Sequence, residues 1–345
     1  MSRNANRKLQ TTQTPRQVKP IEQVSHCGSS QQAGTSIPMH KSQRATGIDA
    51  AAAGPLYAAP AGTGAAEVDE QAAYLAQGDE QVYCVLHRPT RKPRIGQVLL
   101  AGPFGPERHR SYISWVRWAR HLASHGLEVL RFDYRGIGES TGRFTDMAFD
   151  EWLDDLRLCA RWLAARSSSE GCPLILHGWR LGALLAARAF QRNGIGDALL
   201  LWSPPVSGRE MLRMSLRFRF AEDYALNGNA PPKTAEDYIA EIQAGALVEV
   251  DGMAWSRRLW EQSAELTLDL PDTGPPTESS GHCAGRAWRV LHPTITTGPM
   301  SLSHGAGRGG LNPDMRQLFD PNLDWLRSQC DPNQPPLTHA TNSAS

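Results

Sequence analysis

The sequence predicts an α/β domain in which a mostly parallel central sheet is covered by helices on both faces and carries a small helical insertion. Three observations lead there. From Gln81 to Trp202 short β-rich runs alternate with stretches whose apolar residues recur at helical spacing, the pattern of a parallel sheet with crossover helices. Pro173 to Trp202 reads as strand, tight glycine turn, buried helix and strand, which together make a right-handed βαβ unit. Residues 1 to about 75 are rich in Gln, Thr, Ser, Ala, Gly and Pro and show no period, so of the 345 residues about 250 remain to form one large core.

In chain order, Val82 to Leu86 is a first strand, expected to be antiparallel, and Gly96 to Ala101 (GQVLLA) is a buried strand ending in the loop Gly102 to Pro106. Tyr112, Trp115, Val116, Ala119, Leu122 and Ala123 recur at helical spacing, which predicts a helix over 110–125 stopped by Gly126. Leu127 to Phe132 is the next strand. The loop DYRGIGESTGRFTD follows, and then a helix from Phe149 to Arg166 with its acids early and its arginines late, as the helix dipole prefers. Pro173 to His177 is a strand, Leu181 to Gln191 a helix apolar nearly all round and ended by Asn193-Gly194, and Ala198 to Trp202 a strand. Residues 203–265 read as a cap-like insertion: helices over 210–226, 234–244 and 254–266, with a short strand at 247–250. Beyond Pro271 only Ala287 to Leu291 reads as a strand, and a helix over 314–328 closes the domain. The expected organisation is an extension over 1–78, a domain over 79–329 and a polar tail over 330–345.

The net charge of +1 is unevenly divided. Residues 1–47 hold seven Lys or Arg against Glu22 alone, so the extension carries +6 and the remainder −5. A domain of that charge gives no electrostatic reason to expect nucleic-acid binding. The basic extension is read as solvated chain, with a targeting peptide and a start at Met39 as the alternatives. No stretch reaches the 18 or more apolar residues of a membrane span. The six cysteines lie far apart and form no C-x-x-C, which argues against a disulfide framework or structural zinc and fits a reducing cytoplasm. No metal or nucleotide cofactor is indicated. Gly136, Gly138 and Gly142 are spaced G-x-G-x-x-x-G, with no helix starting directly after them, unlike a dinucleotide fingerprint.

Gly178-Trp179-Arg180-Leu181-Gly182 has the frame of a nucleophile elbow, G-x-S-x-G, in its strand-turn-helix setting. So tight a bend leaves no room for side chains two before and two after the tip, hence the two glycines. The tip itself is Arg180. AGPFGPERHRSY, FDYRGIGESTG and HGWRLGALLA, in that order and spacing, resemble the α/β-hydrolase superfamily, especially its serine-aminopeptidase-like and small esterase members. LLLWSPPVSGREML is similar to a bacterial subgroup with G-x-R-L-G-A at the elbow, including hydrolase-named proteins of exosortase and exopolysaccharide loci. The resemblance implies an α/β-hydrolase fold and a hydrolase of acyl ester, amide or thioester bonds.

The residue at the tip contradicts that activity. A guanidinium keeps its proton and cannot serve as the attacking nucleophile. The N–H of Leu181 at a helix N-terminus, an N–H of the Phe104-Gly105 loop and the Arg180 fork instead predict a site for a carboxylate or phosphate. The competing expectation is that Arg180 pairs with a buried acid and holds the loops together. Trp179 flanks the tip and either lines the pocket or packs in the core. The resemblance puts a histidine in a late loop, where His304 is preferred over His292, and an acid after the strand ending at Trp202 or after the next one, the first of which positions holds Ser203-Pro204-Pro205. Asp133 and Arg135 are expected to be structural partners, and Ser140, Cys159 and Cys172 to be structural. Arg213, Arg217 and Arg219 form either a basic rim or a solvated face. The function expected is a catalytically altered family member binding an acyl or anionic ligand, or a partner protein, with an active hydrolase using a non-standard site as the alternative.

Overall fold

The computed structural model describes residues 57–58, 67–166, 172–227, 233–270, 278–292 and 313–331. The strands are β1 (Tyr57–Ala58), β2 (Val68–Gln77), β3 (Glu80–Pro89), β4 (Gly96–Ala101), β5 (Leu127–Phe132), β6 (Leu174–Trp179), β7 (Ala198–Trp202), β8 (Val248–Val250), β9 (Met253–Trp255), β10 (Glu278–Cys283) and β11 (Arg286–Leu291). The helices are α1 (Pro106–Ser124), α2 (Phe149–Ala165), α3 (Leu181–Asn193), α4 (Gly208–Asn227), α5 (Ala235–Gln243), α6 (Arg257–Gln262) and α7 (Pro313–Ser328). Among the described residues the main sheet runs β1-β2-β3-β5-β4-β6-β7-β11-β10. The five strands from β5 to β11 are parallel, while β1, β2 and β3 on one side and β10 on the other join antiparallel.

Alternation along the central strands divides the core into two layers. Leu99, Leu130, Leu176, Leu199 and Leu201 face α2 and α3, where Trp152, Leu156, Leu184 and Phe190 pack. Val98, Leu100, Val129, Ile175 and Leu200 face α1 and α7, against Trp118, Leu122, Phe319 and Leu326. The predicted helix of residues 181–191 is α3. Nine of its residues are buried, because the sheet lies under one side of it and α2 and the cap cover the others.

The helix ends follow from local chemistry. Pro106 opens α1, where a missing N–H costs nothing, and Gly126 beyond its end takes φ 95°, a conformation glycine enters freely. At α2 the Glu151 carboxylate accepts the N–H of Ala148 at 3.0 Å, answering a backbone donor that the helix itself leaves unpaired. Thr234 and Ser256 cap α5 and α6 through their hydroxyls.

The structure corrects four expectations. The extension expected over 1–78 overlaps the sheet: Val68–Gln77 is β2, paired along its whole length with β3. Its polar sequence reads poorly because only Ala73 and Leu75 are fully buried. Residues 1–56, 59–66 and 332–345 lie outside the described residues. The helix expected over 254–266 is shorter: Met253–Trp255 pairs with β8 in a hairpin whose turn is Asp251-Gly252, and α6 covers only Arg257–Gln262. A strand was also missed, since Glu278–Cys283 forms a hairpin with β11. Its side chains are half-buried or exposed, so no hydrophobic pattern marks it. Finally, Asp133 and Arg135 do not pair with each other. Arg135 donates from Nε and from its backbone N–H to Asp155, at 2.6 and 2.9 Å, and from Nη1 to Glu80 at 3.0 Å. Asp133 instead accepts from Arg108 at 2.6 Å and from the N–H of Glu139 at 3.1 Å. Each of the two loop residues thus ties the loop to a different helix, Asp133 to α1 through Arg108 and Arg135 to α2 through Asp155.

Candidate active site at the elbow

The turn after β6 has the geometry of a nucleophile elbow. Arg180 sits at φ 56°, ψ −119°, between the last residue of β6 and the first of α3. Its N–H donates to the carbonyl of Trp202 at 3.0 Å, and its carbonyl accepts from Ala183 at 3.0 Å. Both glycines of the motif are required sterically. A Cβ on Gly178 would lie 2.4 Å from Cα of Ala183, and one on Gly182 2.1 Å from the carbonyl oxygen of Ala101. A non-glycine residue held at positive φ is strained, and such strain concentrates where a side chain must be presented.

The side chain presented is a guanidinium in an ion pair. Arg180 Nε and Nη2 reach Oε1 of Glu107 at 2.7 and 2.6 Å, and Nη1 donates to the carbonyl of Ser203 at 3.3 Å. Both partners are about 30 % exposed (28 % and 31 %), so the pair is half-buried. A cation at the N-terminus of α3 opposes the helix dipole, whereas Glu107 in the first turn of α1 suits the dipole there. Each charge corrects the other's surroundings, and Glu107 ties α1 to the elbow. This is the pairing weighed against an open anion site. The acid is half-buried and comes from the segment just before the predicted helix, which is why the sequence did not single it out.

The ends of the neighbouring strands complete the site. Ser203, after β7, takes φ 44° and donates its N–H to Leu291 at 2.7 Å. His292 follows β11. Burial and the adjacent Arg180 charge hold its pKa below the ordinary histidine range, so its ring is neutral at pH 7. The two positions at which the resemblance implies an acid are thus Ser203 and His292. Of the two late histidines, His292 is brought to the elbow, and the preferred His304 lies outside the described residues.

Other expected site residues divide. Leu181 opens α3, so its N–H has no acceptor within the helix, while its side chain is fully buried. Gly105, at φ 61°, is the residue before α1. The side chains of Phe104 and Trp179 pack in the core. Phe104 stacks on Phe144 and packs on Trp152, and Trp179 lies between Trp115 and Trp202, each at most 3 % exposed. Ser140 is structural, accepting from Tyr83 and donating to the carbonyl of Asp133. Cys159 is fully buried, which raises its pKa, and Cys172 is half-buried. Gly138 has no room for a Cβ between Asp133 and Arg108, so the glycine loop is shaped by packing. No group of three or more metal-ligating side chains occurs among the described residues, and no described helix is long and apolar enough to cross a membrane.

The strand order, the strained elbow between β6 and α3 and the helices on both faces define an α/β-hydrolase fold. Within it, residues 108–246 match the family model described as serine aminopeptidase, S33. The human protein ABHD12B is 33% identical over 116 residues, which cover 32% of this chain and 30% of that protein. The match therefore spans less than a third of this relative's length. Among solved structures, Est1E from Butyrivibrio proteoclasticus with ferulic acid bound aligns with 19% identity over 56% of this chain and 71% of its own, at a TM-score of 0.43. Mouse α/β hydrolase domain-containing protein 10 aligns with 17% identity over 57% and 70% of the two chains, at 0.36.

Proposed function

We propose that this protein is a catalytically altered α/β hydrolase that binds an acyl or anionic ligand at its elbow. One observation carries the reading: the tip of a well-formed elbow holds Arg180, a group that neither attacks a carbonyl nor gives up its proton at physiological pH. Three of its N–H groups are taken by Glu107 and Ser203. The others, with the N–H of Leu181, form a donor set matched to a carboxylate or phosphate oxygen. The neutral His292 beside it adds a further hydrogen-bonding group. Because Glu107 already answers the charge, a ligand anion either shares Arg180 with it or displaces it.

A fluorophosphonate label and p-nitrophenyl esters, applied to the wild type and to Arg180→Ser, test this reading. The expected result is no labelling and no turnover in the wild type. Anionic ligands found by thermal-shift screening should lose affinity in Arg180→Ala, and an unchanged affinity for all of them would overturn the proposal.

A second reading, an active hydrolase of ester, thioester or peptide bonds with a displaced nucleophile, is favoured by the left-handed backbone of Ser203 next to His292. A fluorophosphonate adduct on the Ser203 peptide of the wild type would establish it instead.

A further inference from the structure

Arg110 of α1 and Arg217 of α4 lay their guanidinium groups against the same ring, that of Phe218, with Cζ 5.0 and 5.1 Å from its centroid. The two cationic carbons are therefore no farther apart than about 10 Å, the limit set by adding those distances. The arginines around them are answered by acids: Arg108 by Asp133, Arg213 by Glu236 and Arg219 by Asp223. Arg110 and Arg217 are not, for no carboxylate among the described residues lies within ion-pair reach of either. Both are exposed. The basic set of the cap helix thus separates into two paired members and one, Arg217, that meets a second unpaired arginine from the core.

Stacking on one ring restrains two flexible side chains while their N–H edges stay available, and that cuts the ordering cost of binding an anion between them. Arg110 stands one helical turn beyond Glu107, so it lies on the face of α1 that reaches the elbow. We propose that Arg110 and Arg217, held by Phe218, form a two-arginine clamp for a phosphate group, monoester or diester, at the seam between α1 and the cap. The proposal deepens the elbow reading by naming the group at the ligand's other end. The clamp itself needs only its own three residues.

Calorimetric titration with inorganic phosphate, and co-sedimentation with phosphatidylglycerol vesicles against pure phosphatidylcholine vesicles, test it on the full chain. The wild type binds at least one of the two anionic probes. Arg110→Gln and Arg217→Gln each weaken binding by about tenfold, the scale of one lost charge-assisted contact, and the double variant abolishes it. Phe218→Leu weakens binding without removing a charge. Because the arginines are exposed, circular dichroism should show the Gln variants folded. Binding of free phosphate alone assigns the clamp to a soluble organic phosphate, and binding of the anionic vesicles alone to a lipid headgroup. Failure of both probes to bind, or equal binding by the double variant, overturns the clamp. Loss of binding only in Arg180→Ala overturns the clamp and leaves the elbow reading standing.

Discussion

His177 offers a quantitative test of how the aromatic layer under α1 is built. It lies in β6, fully buried, with ring centroids of Trp202, Trp115 and Trp118 at 4.6, 5.1 and 6.1 Å. Its Nδ1 pairs with the carbonyl of Leu200 at 3.0 Å, and burial pushes its pKa down to about 3. In the unfolded chain the ring takes a proton near pH 6.5, so the folded state is the one that resists protonation. The stability this neutral ring supports is fully present above pH 6.5 and drains as the pH falls towards 3. From pH 6.5 to 4.5 the loss is two pH units at about 1.36 kcal/mol each, or about 2.7 kcal/mol. In a domain of this size that corresponds to a fall in Tm of about 5–10 °C. Other groups titrate over the same interval, His121 with the same sign because burial lowers its pKa to about 4, so the informative quantity is a difference. His177→Phe removes the titration and keeps an aromatic ring. Its unfolding free energy, measured in urea by tryptophan fluorescence, should fall less than that of the wild type between pH 7.5 and 4.5, by about 2.7 kcal/mol. At pH 7.5 the variant should lose about 1 kcal/mol for the missing hydrogen bond. Parallel pH profiles for the two proteins would refute the reasoning.

The remaining predictions concern the elbow and its supports. Gly182→Ala places a methyl 2.1 Å from the carbonyl oxygen of Ala101 and should cost more than about 3 kcal/mol, whereas Gly194→Ala meets only backbone strain and should cost about 1–2 kcal/mol; chemical denaturation separates them. Asp155→Ala leaves the Nε and backbone N–H of Arg135 without an acceptor, with only the part-exposed Glu80 to answer the charge, and should destabilise by about 2–3 kcal/mol in the same assay. Glu107→Gln leaves Arg180 unanswered at the N-terminus of α3. It should lower stability by no more than about 1 kcal/mol, since the pair is part-exposed, and raise the affinity for carboxylate probes seen by thermal shift. A tighter-binding Glu107→Gln is expected only if Glu107 competes for the ligand's place, so an unchanged affinity would count against that place being at Arg180.

Legibility along this chain followed burial. GQVLLA, LEVLRF and ALLLW coincide with β4, β5 and β7 residue for residue, because strands under helices on both faces must be largely apolar. The strands β2 and β10 escaped notice because they lie towards the margins of the sheet, where polar side chains stay wet and the backbone ladder does the pairing. The elbow was legible from two glycines at fixed spacing, since a steric demand that absolute leaves a mark on the sequence. The partner of Arg180 left none. Glu107 lies 73 residues away, and an ion pair specifies only charge and reach, which many acids of this chain satisfy.

The sequence by itself therefore determined the class of fold, the turn on which the site is built and the charge at its tip. Those depend on periodicity and on steric rules that act between near neighbours. The tertiary structure decided how that charge is answered, that Phe104 and Trp179 belong to the core, that His292 stands at the elbow, and that Arg110 and Arg217 share one aromatic ring. Each of these joins side chains from elements distant in the chain, and only the packing of α1, the strand ends and the cap sets which of the many compatible partners come within a few ångströms.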